Sequence, residues 1–157
     1  MPEQKKETLP LSEAITHLLE ECRMVLPGIQ ALFGFQLIAV FNSRFAEQLT
    51  SGEQILHLIA IGLIATAVGF VMAPAAYHRQ MGAREVTDEF IQVASRFLLW
   101  SMPPLMLGIC TDFYLIARLI LHQRILCFAL SLFLGCLLST LWFVFPRFKA
   151  LRKNARR

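Results

Sequence analysis

Four runs of apolar residues, each long enough to cross a bilayer, constrain this chain more than anything else in it: Met24–Phe41, Ile55–Ala76, Phe97–Ala117 and Ile125–Phe145. A helix as long as the first run rises about 27 Å, close to the thickness of a bilayer's hydrocarbon. In lipid a spanning segment must satisfy its own backbone donors and acceptors, which a helix does within itself. Of the 157 residues, 56% are hydrophobic and 17% charged, against about 25% charged in soluble domains. The expected fold class is all-α: an integral membrane four-helix bundle, one transmembrane domain over residues 1–157, ending in a basic tail over 146–157.

The first 23 residues carry Glu3, Glu7, Glu13, Glu20 and Glu21, with no short apolar segment followed by a small-residue cleavage site. No secretory signal is expected there. Leu11, Ile15, Leu18, Leu19 and Cys22 recur at helical spacing opposite Glu13, His17 and Glu20. They predict an amphipathic helix that either lies along the membrane surface or continues the first span outward. Pro27 and Gly28 fall early in that span and are expected to kink it.

Further along, Ser51-Gly52 marks a turn before the second span, and Thr87 with Asp88 and Glu89 marks a helix start, an N-cap followed by two acids in the first turn. Ala65, Gly69 and Ala73 form one small-residue stripe and Ser131, Gly135 and Ser139 a second. Such stripes let helices approach closely, and the expectation is packing within the chain, with a dimer face as the sharper reading. Pro103-Pro104 in mid-span predicts a bend with carbonyls in need of partners. Trp142, Phe143 and Phe145 form an aromatic belt at the far interface.

Orientation follows from the basic residues. Lys5, Lys6, Arg23, Arg79, Arg84, Arg96 and six tail residues share one side, and Arg44, Arg118 and Arg124 the other. Positive charge accumulates on the cytoplasmic side, so both termini are expected in the cytoplasm. The tail over 146–157 is read as a topology signal or as a hold on anionic lipid headgroups, at about 1 kcal/mol per residue near the surface. No nucleic-acid role is expected.

An ionisable group at membrane depth is a functional candidate, because placing it there costs at least about 2.5 kcal/mol near the centre. Asp112 is the leading one. Arg44 leaves the first span on the same side, so an Asp112–Arg44 clasp is the concrete expectation, and a proton- or cation-handling site the alternative. Gln30 and Gln36 offer hydrogen bonds in the membrane, either between helices or along a polar pathway. At the cytoplasmic ends Glu20, Glu21, Arg23, His78, Arg79 and Arg96 are expected to converge as an interfacial salt-bridge network. His78, with an unperturbed pKa of about 6.5, is the pH-sensitive alternative there.

Cys22, Cys110, Cys127 and Cys136 have no metal-binding spacing, and Met102, Met106 and Cys110 are read as a packing stripe rather than a copper(I) site. No cofactor or metal is expected. With no nucleophile–base pair and no phosphate loop, neither is an enzyme.

The run VLPGIQALFGFQL followed by FNSRFAE, then APAAYHR, and the ASRF entry to the third span with Asp112 near its exit, resemble a family of small four-span bacterial membrane proteins known as domain of unknown function 6328. The likeness covers roughly Glu20 to Arg118. It implies a four-helix membrane protein and no defined activity, although some relatives carry a sodium/proton antiporter label. The double proline and the basic tail stand outside that pattern. Two functions therefore remain open. The first is a non-enzymatic accessory or structural component that self-associates or packs on a membrane partner. The second is a small proton- or cation-coupled secondary transporter acting as a dimer, with Asp112, Gln30 and Gln36 along its path.

Overall fold

The computed structural model describes residues 11–81, 88–121 and 123–148. Five α-helices follow one another: α1 (Leu11–Val40), the short α2 (Ser43–Gln48), α3 (Ser51–Met81), α4 (Asp88–Leu121) and α5 (Arg124–Ser139), with a π-helical turn at Thr140–Val144 closing the last. The four long, apolar stretches Thr16–Val40, Ser51–Gln80, Glu89–Leu121 and Arg124–Phe148 have the length and hydropathy to cross a membrane. At 1.5 Å per residue the 34 residues of α4 rise about 51 Å, so it extends well beyond the roughly 30 Å of hydrocarbon. The chain is an all-α, four-helix membrane protein.

The amphipathic segment continues the first span, since α1 runs unbroken from Leu11 through Pro27 to Val40. On it Leu18 and Cys22 are buried while Glu13, His17 and Glu20 are exposed. Helix α4 likewise continues through Pro103 and Pro104. It begins at Asp88, as the acidic first turn predicts; Thr87 lies outside the described residues, as do Lys5, Lys6, Arg84 and the tail beyond Phe148.

Helices α3 and α4 form the centre, with α5 packed on α4, and α1 on α3 and more lightly on α4. The buried face of α3 is His57, Ala60, Ile64, Ala67, Val71 and Pro74, alternating steps of three and four. On α4, Ala94, Ser101, Gly108 and Leu115 recur every seventh residue. Two seams with this period mesh as knobs into holes. Their tightest point is Gly108, where an added Cβ would stand 2.6 Å from Ile64 Cδ1, 2.9 Å from its Cγ1 and 3.4 Å from the carbonyl oxygen of Ala60. Glycine is needed there for lack of room.

The two small-residue stripes behave differently. Ser131 donates to the carbonyl oxygen of Cys110 at 2.7 Å, Ser139 to the sulfur of Met106 at 3.3 Å, and a Cβ on Gly135 would meet Cys110 Sγ at 3.4 Å. That stripe is the α4–α5 seam, which also makes the Met106 and Cys110 face a packing surface. The stripe of Ala65, Gly69 and Ala73 points away from it. Ala65 and Gly69 are exposed, with open space around Gly69. Packing within the chain, expected of both, holds only for the second, because α3 turns its 57/60/64/67 face to α4 instead.

Among the described residues thirty large hydrophobic ones are exposed, Phe41 at 87% and Ile125 at 88% among them. For a water-soluble domain this would be an extended adhesive surface; in a bilayer it is the lipid-facing side.

Candidate functional site: a carboxylate, an imidazole and an amide between three helices

Because α1, α3 and α4 alternate in direction, the end of α1, the start of α3 and the end of α4 meet at one end of the bundle. There the chain builds a capped entrance to α3. Thr50 N donates to Glu53 Oε2 at 2.9 Å and Glu53 N to Thr50 Oγ1 at 3.4 Å, a reciprocal capping box on the sequence Thr-Ser-Gly-Glu. The other carboxylate oxygen of Glu53 accepts from Arg118 Nε at 3.1 Å, so the cap is tied to α4.

About one turn beyond Glu53 the buried seam of α3 begins with His57, 7% exposed. Across from it stands Asp112, about 14 Å of helical rise before the end of α4. Gln36 of α1, 4% exposed, completes the group. Gln36 Nε2 donates to Asp112 Oδ2 at 2.5 Å; His57 Nδ1 lies 3.4 Å from Asp112 Oδ1; and His57 Nε2 lies 3.1 Å from the backbone oxygen of Gln36. Phe45 of α2 packs its ring on the imidazole with centroids 5.2 Å apart.

This geometry fixes the hydrogens. A backbone carbonyl only accepts, so Nε2 carries the hydrogen it gives to Gln36. Nδ1 is then the nitrogen facing the carboxylate. With a neutral ring and an ionised acid, lone pair would face lone pair. One proton placed on either atom turns that repulsion into an imidazolium–carboxylate pair or an acid–imidazole hydrogen bond. A single proton on that facing pair would leave it without net charge, which suits its depth.

Two buried oxygens in the group accept no hydrogen bond, Gln36 Oε1 and Asp112 Oδ1. Both residues, with His57, line a cavity of about 190 Å³ whose other walls are apolar, among them Leu32, Phe35, Leu115 and Ile116. A second cavity, also about 190 Å³, shares Ala39, Phe45, Leu49 and Leu119 with the first and adds Asn42 and Gln48. The second cavity lies on the α2 side of the first, beside polar residues at the bundle's end. Towards the other end the seam of Ala60, Ile64 and Gly108 is tightly filled.

Of the residues singled out by sequence, Asp112 and Gln36 meet here and Gln30 does not: it is exposed on α1. Gln36 and His57 stand against Asp112; the expected clasp with Arg44 falls on a side chain outside the described residues. Arg118 is the arginine drawn to an acid at this end, and the acid is Glu53. At the opposite end Glu20, Glu21, Arg23, Arg79 and Arg96 are all exposed. Glu20 pairs with His17 at 3.7 Å, and the His78 ring packs at a tilt against Phe90 with centroids 5.6 Å apart. Among the described residues the expected salt-bridge network is absent, because those long side chains reach outward from the helix ends. His57 is what a reading by sequence passes over. Two signals mark it, an ionisable residue inside an apolar run and its place in the 57/60/64/67/71/74 register.

Four membrane-crossing helices around a buried carboxylate, imidazole and amide define a small multi-pass membrane protein with a polar site at one end of its core. The chain matches the family described as "Family of unknown function (DUF6328)" over residues 5–146, and it belongs to that family. No curated protein and no solved structure matches it.

Proposed function

We propose that the protein is a non-enzymatic, proton-coupled secondary transporter of a bacterial inner membrane, in which Asp112 and His57 take up and release one proton. The observation that carries this reading is the Gln36–Asp112–His57 arrangement: Nε2 is committed to a carbonyl, and the remaining Nδ1 and Oδ1 face each other at 3.4 Å with room for one shared proton. The two neighbouring cavities open the site towards α2, and the tight Ile64–Gly108 seam fills the α3–α4 interface on the other side, the kind of asymmetry that alternating access starts from. Twelve of the fifteen basic residues fall on the side of the termini, which supports cytoplasmic ends and an entrance facing outward. The basic tail then sits against anionic headgroups.

The outward-facing stripe of Ala65, Gly69 and Ala73 supports a dimer, since one copy of four helices encloses little volume. The same stripe favours the second reading, an accessory component seated on a membrane partner, in which the buried trio only ties α1, α3 and α4 together.

The two readings part in an infrared pH titration of the reconstituted protein. A transporter shows a protonated-carboxyl band that appears as the pH is lowered and is missing from Asp112→Asn. A carboxylate that does not titrate before the protein unfolds leaves the accessory reading. On the same liposomes, collapse of an imposed pH gradient by added sodium, potassium, lithium or an organic cation, lost in Asp112→Asn and Gln36→Leu, establishes coupled flux.

A further inference from the structure

The cavity beside Asp112 tells which kind of cation the site would exchange for its proton. Resting on the proton-coupled reading above, we infer that it is a binding site for a compact lipophilic primary amine, taken in its ammonium form, whose head displaces the proton shared by His57 and Asp112.

Three features converge on that ligand. The first is the acceptor set. Asp112 Oδ1 and Gln36 Oε1 are buried without a hydrogen-bond donor, and once the shared proton has gone, His57 Nδ1 is a third acceptor, its Nε2 hydrogen being committed to the Gln36 carbonyl. A primary ammonium carries three N–H donors and one positive charge, matching three acceptors of which one belongs to a carboxylate. A hydroxyl brings one donor and no charge. An alkali ion brings the charge but needs more oxygens than the two unpartnered ones.

The second is the lining. Apart from Gln36, His57 and Asp112, every residue around the cavity is apolar, and Phe35 and Phe45 contribute aromatic rings. A strongly hydrated ion loses its water against such walls with nothing to replace it, whereas a hydrocarbon body is favoured there and a cation can lie over a ring face. The volume of about 190 Å³ sets the size. A cavity of about 150 Å³ holds a benzene ring, so there is space for one ring with a short amine arm.

The third is the way in. Phe35 and Ile116, on the two helices that flank the cavity, are 71% and 55% exposed on the lipid-facing surface. The groove between α1 and α4 is thus open to the bilayer, while Asn42 and Gln48 mark the polar exit past α2. A lipophilic amine partitions into the membrane and reaches the groove sideways. Charge balances at the site: one ammonium enters as one proton leaves, so the trio stays neutral in both states.

The probe is benzylamine, with toluene and benzyl alcohol as isosteric controls, added to the protein in lipid nanodiscs against empty discs. Saturable binding of benzylamine is expected, at least about tenfold tighter than either control. It should be accompanied by loss of the protonated-carboxyl infrared band, and both effects should be abolished in Asp112→Asn. Ala39→Phe, which fills the cavity without touching the acceptors, should weaken benzylamine at least about tenfold as well. Equal binding of toluene, equal displacement of the band by sodium, or benzylamine binding that leaves the band in place would each overturn the inference while the titrating band upholds the proton site. Absence of a titrating band in the wild type overturns the reading on which the inference rests.

Discussion

His57 and Asp112 face each other at 3.4 Å, ring nitrogen to carboxylate, across the seam between α3 and α4, and the second ring nitrogen is held by the backbone of α1. One imidazole therefore reports on three helices. In His57→Ala the Gln36 carbonyl and Asp112 both lose a partner at a buried position. Unfolding in a denaturing detergent should show a loss of about 1–3 kcal/mol, and the carboxyl band should no longer respond to pH as it does in the wild type.

The two glutamines of α1 should separate cleanly. Gln36 donates to Asp112 and is buried, whereas Gln30 is exposed on the same helix. Gln36→Leu leaves a buried carboxylate oxygen without its donor, at about 1–3 kcal/mol, and stops gradient collapse. Gln30→Leu replaces a polar group facing the hydrocarbon by an apolar one. It is expected to leave flux intact and to raise the unfolding midpoint slightly; a Gln30→Leu protein as impaired as Gln36→Leu would contradict this placement.

Gly108→Ala forces a methyl to within 2.6 Å of Ile64 Cδ1, in a place where Ile64 is fully buried. A cost of about 1–3 kcal/mol follows from overpacking. Ile64→Val removes the Cδ1 atom that clashes, so the double variant should recover part of the loss, and a double-mutant cycle on unfolding free energies measures how much. Gly69→Ala, with open space around it, should be neutral in the monomer.

Thr50 and Glu53 cap α3, and Glu53 also holds Arg118. Thr50→Ala should lower stability by about 1 kcal/mol. Glu53→Ala removes cap and ion pair together and should cost more than Thr50→Ala, and Arg118→Gln should also lower stability. Thermal unfolding followed by circular dichroism at the same detergent concentration gives all three values.

The count and type of the membrane helices were legible in the sequence, because lipid leaves an apolar run of that length one way to satisfy its backbone. Membership of the four-span family was legible as well, from the LPG-x-Q, SRFAE and P-x-x-Y-H-R segments, and residues 5–146 match that family. Asp112 and Gln36 stood out for the same physical reason, polar groups at a depth where they are costly.

Which residues those groups would meet was decided by the tertiary structure. Charge complementarity alone points from Asp112 to Arg44. The rotation of α3 that buries Ala60, Ile64 and Ala67 against α4 brings His57 to Asp112, a partner that no charge count points to, and it turns Ala65 and Gly69 outward. Helix rotation depends on how two surfaces interlock around Gly108, a pairwise property that one strand of sequence does not carry. Sequence set which groups are too polar to lie idle in a membrane; packing decided that an imidazole, a carboxylate and an amide would share one cavity.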